Sequence, residues 1–559
     1  MWGMAGMRSP DRETAPRFTD YDEVRRTLRL DVPERFNPVM DIVEAWAAQA
    51  PTDLALLSLG PVGEVVRRQS TAELAADSRR AARALLAMGV RKGDPVFVML
   101  PRTPAWYASM LGVIRIGAVA MPGPTLLTSR DMAYRIGKVD AGVAITDPDG
   151  AAKLDAFGDE LPSLRQRLCC GPSGSVPSGW EDFEDACASV GDGETPADPT
   201  AAQDPMLIYF TSGTVAYPKM VLHTQSSYGL GHVITARFWQ DLGAGDLHWT
   251  VTDTGWAKAA WGGLFGQWHE RASVVQVQLG KPDADTILQI LVDHAITSFC
   301  APPTLYRLLV QADLGQYDLS ALRHATSAGE PLNPEIIKVW REGTGGLVVY
   351  DGYGQTETTN MVANFRGMAV RPGSMGRPTP GYDVDVVDDD GHAVPTGEVA
   401  NIAVRTDPRP VGLFREYYRD PMATEAVFRN GWYFTGDKAA KDADGYFWFE
   451  GRADDVITSS AYRIGPFEVE SALLEHPAVA EAAVVGKPDP ERTELVTAFV
   501  LLAPGYAPSP ELAAELQTHV KTVTAPYKYP RVVYFVEELP KTISGKIRRS
   551  ELRQRFSSD

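Results

Sequence analysis

Alternation of short apolar strands with amphipathic helices is the feature of this sequence that most restricts its fold. A capping box at Ser70 and Glu73 opens an Ala/Leu-rich helix, and a strand at 95–100, a helix at 104–116 and a strand at 118–121 follow it. Strand–helix–strand units favour a parallel sheet with helices on both faces. The sequence therefore predicts an α/β fold with doubly wound sheets. Further units of this kind are predicted at 208–236, 274–301 and 325–350.

The second half of the chain has a different pattern. Short β-like runs such as 384–387, followed by the acidic turn 388–391, predict a small β-barrel-like layer. A compact α+β segment follows, so we predict a large N-terminal domain at 1–453 and a small, mobile C-terminal domain at 454–559. The Gly-, Pro- and Ser-rich stretch 171–205 is predicted to be an exposed excursion.

Length and charge exclude several classes of function. A chain of 559 residues with 44% hydrophobic residues is long enough for several packed units. The net charge of −18 argues against sequence-independent binding of nucleic acid, which needs a basic surface. Neither an apolar leader in the first residues nor a bilayer-spanning run is present in the sequence. We therefore expect a cytoplasmic enzyme that acts on small molecules, binds no nucleic acid and does not span a membrane, with a monomer and a homo-oligomer both left open.

A hydroxyl-rich segment at 209–219 (YFTSGTVAYPK) indicates phosphate chemistry. Hydroxyls and turn amides donate hydrogen bonds to phosphate oxygens, and the lysine adds a mobile positive charge. A surface turn has the same composition, so the segment alone leaves both interpretations open. The candidate phosphate ligands are Thr211, Ser212, Gly213, Thr214 and Lys219.

Several further motifs follow in a fixed order along the chain. They are 252–258 (TDTGWAK), 327–332 (SAGEPL), 351–357 (DGYGQTE), 432–437 (WYFTGD) and 539–546 (LPKTISGK). Together with the phosphate segment they resemble the adenylate-forming superfamily of acyl-CoA synthetases, peptide-synthetase adenylation domains and luciferases. The resemblance covers nearly the whole chain and is greatest to bacterial medium-chain acyl-CoA synthetases.

The resemblance implies a role for each motif. Gly329 and Glu330 lie against adenine, Tyr353 stacks on it, and Asp437 with Arg452 holds the ribose. The catalytic residues implied are Thr356, which donates to the α-phosphate, Glu357, which also holds Mg²⁺, and Lys546. An ammonium at the last position is physically sensible, because it stabilises the negative charge that builds when a carboxylate attacks a phosphate. Nearby Arg548, Arg549 and Arg553 are expected to be solvated.

The resemblance also implies two half-reactions. Asp454 is the implied hinge, and the C-terminal domain turns about it after adenylation so that the loop with Ala461 and Arg463 borders the CoA channel. Two positions depart from the family pattern. Ala216 and Ala461 stand where glycine is usual. Each is either a neutral change or a stiffened turn. The methyl group of Ala461, at the CoA channel, puts the CoA step in question.

Aromatic residues after the 252–258 motif are candidates for the substrate pocket. Trp256, Lys258 and Trp261 suit a medium-chain or aryl acid, although aromatic residues at this spacing also occur as plain core. Lys258 either pairs with an acidic group or extends along apolar surface to water.

The predicted function is an AMP-forming acid–CoA ligase that uses ATP and Mg²⁺ with CoA as co-substrate. A carboxylic acid and ATP give acyl-AMP and pyrophosphate, and the CoA thiolate then displaces AMP. The first alternative is an adenylating enzyme with another acceptor, such as a diazotase that activates nitrite for attack by an aromatic amine. The second is a catalytically silent nucleotide-binding protein, against which the retained charged residues argue.

Overall fold

The computed structural model describes most of the chain. It covers residues 20–157, 160–172, 174–193, 195, 199–211, 218–452, 455–459, 462–490, 492–542 and 546–557, with the backbone only at Arg463. The predictions for Ser212, Gly213, Thr214, Ala216, Asp454 and Ala461 lie outside these residues.

The strands are, in chain order, β1 (Leu54–Leu59), β2 (Val65–Ser70), β3 (Pro95–Met99), β4 (Val119–Pro122), β5 (Val143–Thr146), β6 (Gln166–Cys169), β7 (Glu181–Asp182), β8 (Pro205–Thr211), β9 (Lys219–Thr224), β10 (Leu247–Thr250), β11 (Ser273–Val277), β12 (Ser298–Ala301), β13 (His324–Ala328), β14 (Val349–Gly354), β15 (Asn360–Ala363), β16 (Arg377–Pro378), β17 (Val384–Val387), β18 (Ala400–Arg405), β19 (Glu416–Tyr417), β20 (Phe428–Arg429), β21 (Trp432–Lys441), β22 (Phe447–Arg452), β23 (Ile457–Ser459), β24 (Tyr462–Ile464), β25 (Val479–Asp489), β26 (Thr493–Leu502) and β27 (Val532–Phe535).

The α-helices are α1 (Tyr21–Thr27), α2 (Ala45–Gln49), α3 (Thr71–Ala87), α4 (Pro104–Arg115), α5 (Ser129–Val139), α6 (Pro148–Asp155), α7 (Phe183–Ser189), α8 (Gln225–Gly229), α9 (Gly231–Ile234), α10 (Ala257–Gly263), α11 (Gly266–His269), α12 (Ala284–Asp293), α13 (Pro303–Leu309), α14 (Pro334–Gly343), α15 (Pro421–Val427), α16 (Pro466–Leu474), α17 (Pro510–Val523) and α18 (Arg549–Gln554). π-helical and 3-10 turns lie at Val39–Glu44, Thr235–Trp239, Leu314–Gln316, Leu319–Ala321 and Arg555–Ser557.

Two large sheets, each mostly parallel, form the body of the molecule. One has nine strands in the order β16-β15-β14-β13-β12-β10-β11-β1-β2, and the other has eight in the order β19-β9-β8-β4-β3-β5-β6-β7. A shared hydrophobic core joins them, with Leu56 of β1, Val96 of β3, Ile114 of α4 and Tyr209 of β8 among its buried members. The predicted α/β class with doubly wound sheets is confirmed.

The predicted helix start at Ser70 and the predicted strand–helix–strand unit around α4 are also confirmed. The capping box at Ser70 is present, with its hydroxyl accepting from the Glu73 amide, and α3 begins at the next residue. Strands β3 and β4, on either side of α4, pair in parallel.

The prediction of an exposed excursion at 171–205 is wrong in part, because β7 joins the sheet edge and α7 buries Phe183 in the core. A short polar segment leaves no periodic pattern from which such a helix is recognised.

Two smaller sheets complete the fold. The antiparallel strands β17, β18, β20, β21 and β22 form the predicted small β layer. Strands β23 to β27 form the last sheet, with α16 and α17 packed on it. Among the described residues, the hydrophobic clusters that contain β23–β27 include no residue before Ile457. No helix in the described part of the chain is long and apolar enough to cross a membrane.

Helices α3 and α4 approach each other closely at Gly112. A Cβ atom there would lie 2.6 Å from the Ala81 Cβ and 3.0 Å from the Ala82 amide nitrogen. Gly112→Ala is therefore expected to destabilise the large domain by about 1–3 kcal/mol through overpacking. The measurement is the apparent midpoint of thermal unfolding.

Gly137 on α5 is the matched control, because nothing lies within 4 Å of a Cβ built there. Gly137→Ala is expected to leave the midpoint unchanged or to raise it, since alanine favours a helix by about 0.5–1 kcal/mol over glycine. Equal midpoints for the two variants would contradict the close approach at Gly112.

Candidate active site

The ends of the predicted phosphate segment lie side by side. Thr211 ends β8 and Lys219 begins β9, and the two are direct partners in the antiparallel pairing of these strands. The Lys219 Nζ lies 4.6 Å from the ring centroid of Tyr417, so the ammonium is held over an aromatic face. The loop between these ends lies outside the described residues.

A buried carboxylate, Asp437, joins the nine-stranded sheet to the small β layer. Its Oδ2 accepts hydrogen bonds from the Tyr353 hydroxyl at 2.6 Å and from the Gln355 Nε2 at 2.7 Å. The Tyr433 hydroxyl donates in turn to the Gln355 Oε1 at 2.8 Å. Arg452 is the direct cross-strand partner of Asp437 in the β21–β22 pairing. Burial raises the pKa of Asp437, and these donors and the Arg452 charge oppose the rise.

Glu357 lies on the same side of the site. Its carboxylate Oε1 accepts from the Tyr417 hydroxyl at 2.8 Å, and its backbone oxygen accepts from the Phe414 amide at 2.7 Å. Burial raises the pKa of Glu357, and the nearby Lys219 charge opposes that rise. A carboxylate that loses its water in this way gains from a cation.

Thr356, the preceding residue, is held through its backbone. Its carbonyl oxygen accepts from the His223 Nε2 at 2.7 Å and from the Tyr228 hydroxyl at 3.2 Å. Burial lowers the pKa of His223 to about 3, so the imidazole is neutral at physiological pH.

Two lysines from distant parts of the chain influence the pKa of Glu330. The Lys258 Nζ donates to the Ala328 backbone oxygen at 2.9 Å, and burial lowers the pKa of this lysine. Burial raises the pKa of Glu330, and the charge of Lys546 is the largest influence opposing it. Lys546 also acts on Asp437 and Lys258. The structure therefore brings Lys546 to the predicted nucleotide residues from near the end of the chain. Gly329, just before Glu330, has a φ of 109°.

Helix α10 carries the predicted pocket residues. Trp256 is its N-cap and is half-buried, whereas Trp261 is 6% exposed and belongs to the main core. The Trp261 ring meets Trp239 edge-on at 6.3 Å between centroids. A Cβ at Gly354 would lie 2.5 Å from the Trp261 Cη2. The absence of a side chain at Gly354 thus lets the indole pack against the end of β14.

The basic residues after Lys546 differ from the prediction. Arg548 is exposed, as expected. Arg549 donates to the Glu470 carboxylate at 2.7 and 2.8 Å, and Arg553 forms an ion pair with Asp455. The prediction that Arg549 and Arg553 are solvated is therefore wrong. Their acidic partners lie about eighty or more residues earlier in the sequence, so a local pattern cannot reveal them.

Sequence reasoning missed five side chains of this site. They are His223, Tyr228, Gln355, Tyr417 and Tyr433. Gln355 stands inside a recognised motif, and its neighbours there are a signal that could have found it. Tyr433 likewise stands inside the recognised motif 432–437. His223 follows the apolar run 220–222, and Tyr228 and Tyr417 stand in ordinary polar segments, so no local pattern marks these three as site residues.

Two family models and several known proteins are similar to this chain. The family model described as AMP-binding enzyme matches residues 43–418, and the model described as AMP-binding enzyme C-terminal domain matches residues 468–546. The chain is 44% identical over 551 residues to the mouse (Mus musculus) acyl-coenzyme A synthetase ACSM3, mitochondrial, covering 97% of this chain and 94% of the mouse protein. It is 47% identical over 531 residues to the human (Homo sapiens) ACSM5, mitochondrial, covering 93% of this chain and 91% of that protein.

A solved structure supports the same conclusion. The anthranilate CoA ligase AuaEII in complex with anthranoyl-AMP superimposes with a TM-score of 0.86 at 31% identity, over 94% of this chain and 98% of that chain. The mitochondrial location in the relatives' names contradicts the predicted cytoplasmic location. CoA is the acceptor in these enzyme classes, which confirms the predicted CoA ligase over a non-CoA acceptor.

The order of motifs, the fold and the relatives lead to one assignment. This chain belongs to the AMP-binding enzyme family and is an ATP-dependent, AMP-forming acid–CoA ligase.

Proposed function

We propose that this ligase activates a medium-chain or aryl carboxylic acid with ATP and Mg²⁺ and transfers the acyl group to CoA. The observation that carries the proposal is the convergence of four stretches of the chain, in which the charge of Lys546 influences the pKa of Glu330, Lys258 and Asp437. Such a cluster suits a reaction between two anions.

In the proposed adenylation step each of the site residues has a role. Asp437 and Arg452 hold the ribose, Tyr353 lies at adenine, and the Thr356 hydroxyl donates to the α-phosphate. As the acid's carboxylate attacks that phosphorus, pyrophosphate leaves and negative charge grows on the phosphate oxygens. Lys546 stabilises this charge, since a positioned ammonium is worth most where water is excluded.

Glu357 is the proposed ligand of Mg²⁺. Its buried carboxylate has the Tyr417 hydroxyl as its side-chain hydrogen-bond donor, which leaves lone pairs free, and oxygen is the ligand that this cation prefers. Bound there, the ion neutralises phosphate charge. Lys219 reaches the same side of the site and supplies a second positive charge.

The acid is proposed to lie along α10. Trp256 is half-buried at the start of this helix, and Trp261 closes the space beside Gly354. Aromatic walls of this kind suit a short alkyl chain or one ring. AuaEII, an anthranilate CoA ligase of the same fold, acts on an aryl acid, which supports this size class.

A turn of the C-terminal domain about Asp454 is proposed for the second half-reaction. Among the described residues, hydrophobic clusters lie on either side of this position and none crosses it. Polar contacts between described residues cross the boundary. Arg307 of the large domain lies 3.6 Å from Glu481 of the small domain, and the Asn333 Nδ2 donates to the Ser471 backbone oxygen at 3.4 Å. The loop with Ala461 and Arg463 is then proposed to border the CoA channel.

Removal of the Lys546 ammonium tests the catalytic assignment. Lys546→Ala is expected to lower acid-dependent ATP–pyrophosphate exchange by about 100- to 1,000-fold, as loss of a single charge-stabilising group does. ATP binding should change little. Arg548→Ala is the matched control, since Arg548 is an exposed basic residue of the same segment whose ion-pair partner among the described residues, Glu551, lies 3.8 Å away. Equal exchange by the two variants would overturn the role of Lys546.

Substrate size tests the pocket. With CoA present, butanoate to octanoate and benzoate are expected to give thioesters and AMP, whereas hexadecanoate gives neither. Trp261→Ala should shift the preference toward longer acids, because each methylene that a pocket accepts is worth about 10- to 200-fold in kcat/KM. The measurement is kcat/KM across the series. An unchanged profile in the variant would place the acid elsewhere.

Raised pH tests the domain contact. Glu450 of β22 is hydrogen-bonded to Glu468 of α16, and Lys528 forms an ion pair with Glu468. Burial and the neighbouring Glu468 raise the pKa of Glu450 to about 8. Because the folded pKa lies above the usual glutamate value, the stabilisation is fully present below that usual value and is lost progressively as pH rises to about 8. The adenylation rate should therefore fall as pH rises toward about 8 and level off above it.

Glu450→Gln is the control for this effect. Its neutral amide can donate to Glu468 at any pH, so the fall in pyrophosphate exchange with rising pH should disappear. Parallel pH profiles for the two proteins would show that this pair does not control the domain orientation.

A further inference from the structure

The geometry points to His223 as a positioning residue for adenylation: with Tyr228 it fixes the Thr356 carbonyl and so sets the direction of the Thr356 hydroxyl and the Glu357 carboxylate. This inference rests on the proposed roles of those two residues. His223 is in β9 and Tyr228 in α8, outside the motifs that contact nucleotide.

The tautomer of His223 follows from its partners. A carbonyl oxygen only accepts, so the Nε2 that lies 2.7 Å from the Thr356 oxygen carries the hydrogen. The Nδ1 then accepts, and the Ser227 hydroxyl lies 3.0 Å from it. That hydroxyl also accepts from the Thr224 amide at 2.8 Å as part of the capping box of α8. The start of a helix thus holds the imidazole in its donating form.

Tyr228 supplies the second donor. Its hydroxyl lies 3.2 Å from the Thr356 oxygen, and its ring lies 3.8 Å from the imidazole, centroid to centroid. Neither His223 nor Tyr228 is exposed to solvent. One carbonyl oxygen has two lone pairs, and both have a donor here.

Two consecutive carbonyl groups are therefore held. The peptide bond is planar, so fixing the Thr356 carbonyl fixes the amide plane that leads into Glu357. The Glu357 carbonyl accepts from the Phe414 amide at 2.7 Å, and its side chain accepts from Tyr417. The backbone between the α-phosphate donor and the metal ligand has little freedom left.

His223 does not exchange protons with substrate. It is wholly buried, its Nε2 is bonded to the backbone and its Nδ1 faces Ser227. Its effect is on alignment, and a misplacement of about 1 Å in a catalytic group costs up to about 100-fold in rate. Such an effect reduces kcat more than it changes the KM for ATP, because alignment matters most in the transition state.

The test compares a variant that keeps the donor with one that removes it. In His223→Gln the amide Nε2 can still donate to the Thr356 oxygen, whereas His223→Leu fills a similar space without a donor. His223→Leu is expected to lower the kcat of pyrophosphate exchange by about 10- to 100-fold, with the KM for ATP within about threefold. His223→Gln should recover most of that loss. Wild-type kcat in His223→Leu, or equal loss in both variants, would overturn the inference.

Tyr228→Phe keeps the ring and removes only the second donor, and it decides the matter if His223→Leu does not fold. We expect a fall in kcat of about threefold or more with an unchanged unfolding midpoint. An unchanged kcat would count against the clamp, that is, the two hydrogen bonds from His223 and Tyr228 to the Thr356 carbonyl oxygen.

Thr356→Ala separates this inference from the proposed function. If Thr356→Ala exchanges pyrophosphate at the wild-type rate, the proposed role of Thr356 fails, and the clamp has nothing to align. If Thr356→Ala loses activity while both His223 variants and Tyr228→Phe keep it, only the clamp fails.

Discussion

The hydrogen bonds to Asp437 are the interaction on which the rest of the site depends. This carboxylate is in the small β layer, while Tyr353 and Gln355, which donate to it, are at the end of a strand of the nine-stranded sheet. A carboxylate in a dry interior is costly unless several donors satisfy it. The two sheets are therefore held at the distance that these donors set. Any change in that distance would also move the residues proposed to hold the ribose.

Close packing at two glycines links the position of the Asp437 donors to the proposed acid pocket. Gly352 and Gly354 alternate with Tyr353 along β14, and a Cβ at either would lie 2.5 Å from an indole, that of Trp239 or Trp261. The tyrosine thus faces Asp437 while its glycine neighbours lie against two tryptophans. One short strand therefore sets the position of both the residues proposed to bind nucleotide and the proposed pocket wall. This coupling explains on physical grounds why a glycine-rich segment carries the central motif.

Much of the fold could be predicted because its signals are local. The capping box at Ser70 and the alternation around α4 are each written within a few residues. The roles of Asp437 and Lys546 could be inferred only because motifs in a fixed order resemble a family. Contacts between distant polar groups could not be inferred. His223 lies 133 residues from the carbonyl that it fixes, and Arg549 lies 79 from Glu470. A single polar residue in an apolar strand has no local sign of its partner.

The contacts across the predicted domain boundary before Asp455 differ in kind from those within either part of the chain. Inside each, buried apolar side chains supply stability roughly in proportion to area and resist separation. Between them, the Glu450–Glu468 pair and the Arg307–Glu481 contact are polar interactions that water can replace at small net cost. An interface of this kind can open without unfolding either side. The proposed reaction in two steps needs such an interface, because in that proposal Lys546 acts in the first step and makes way for CoA in the second.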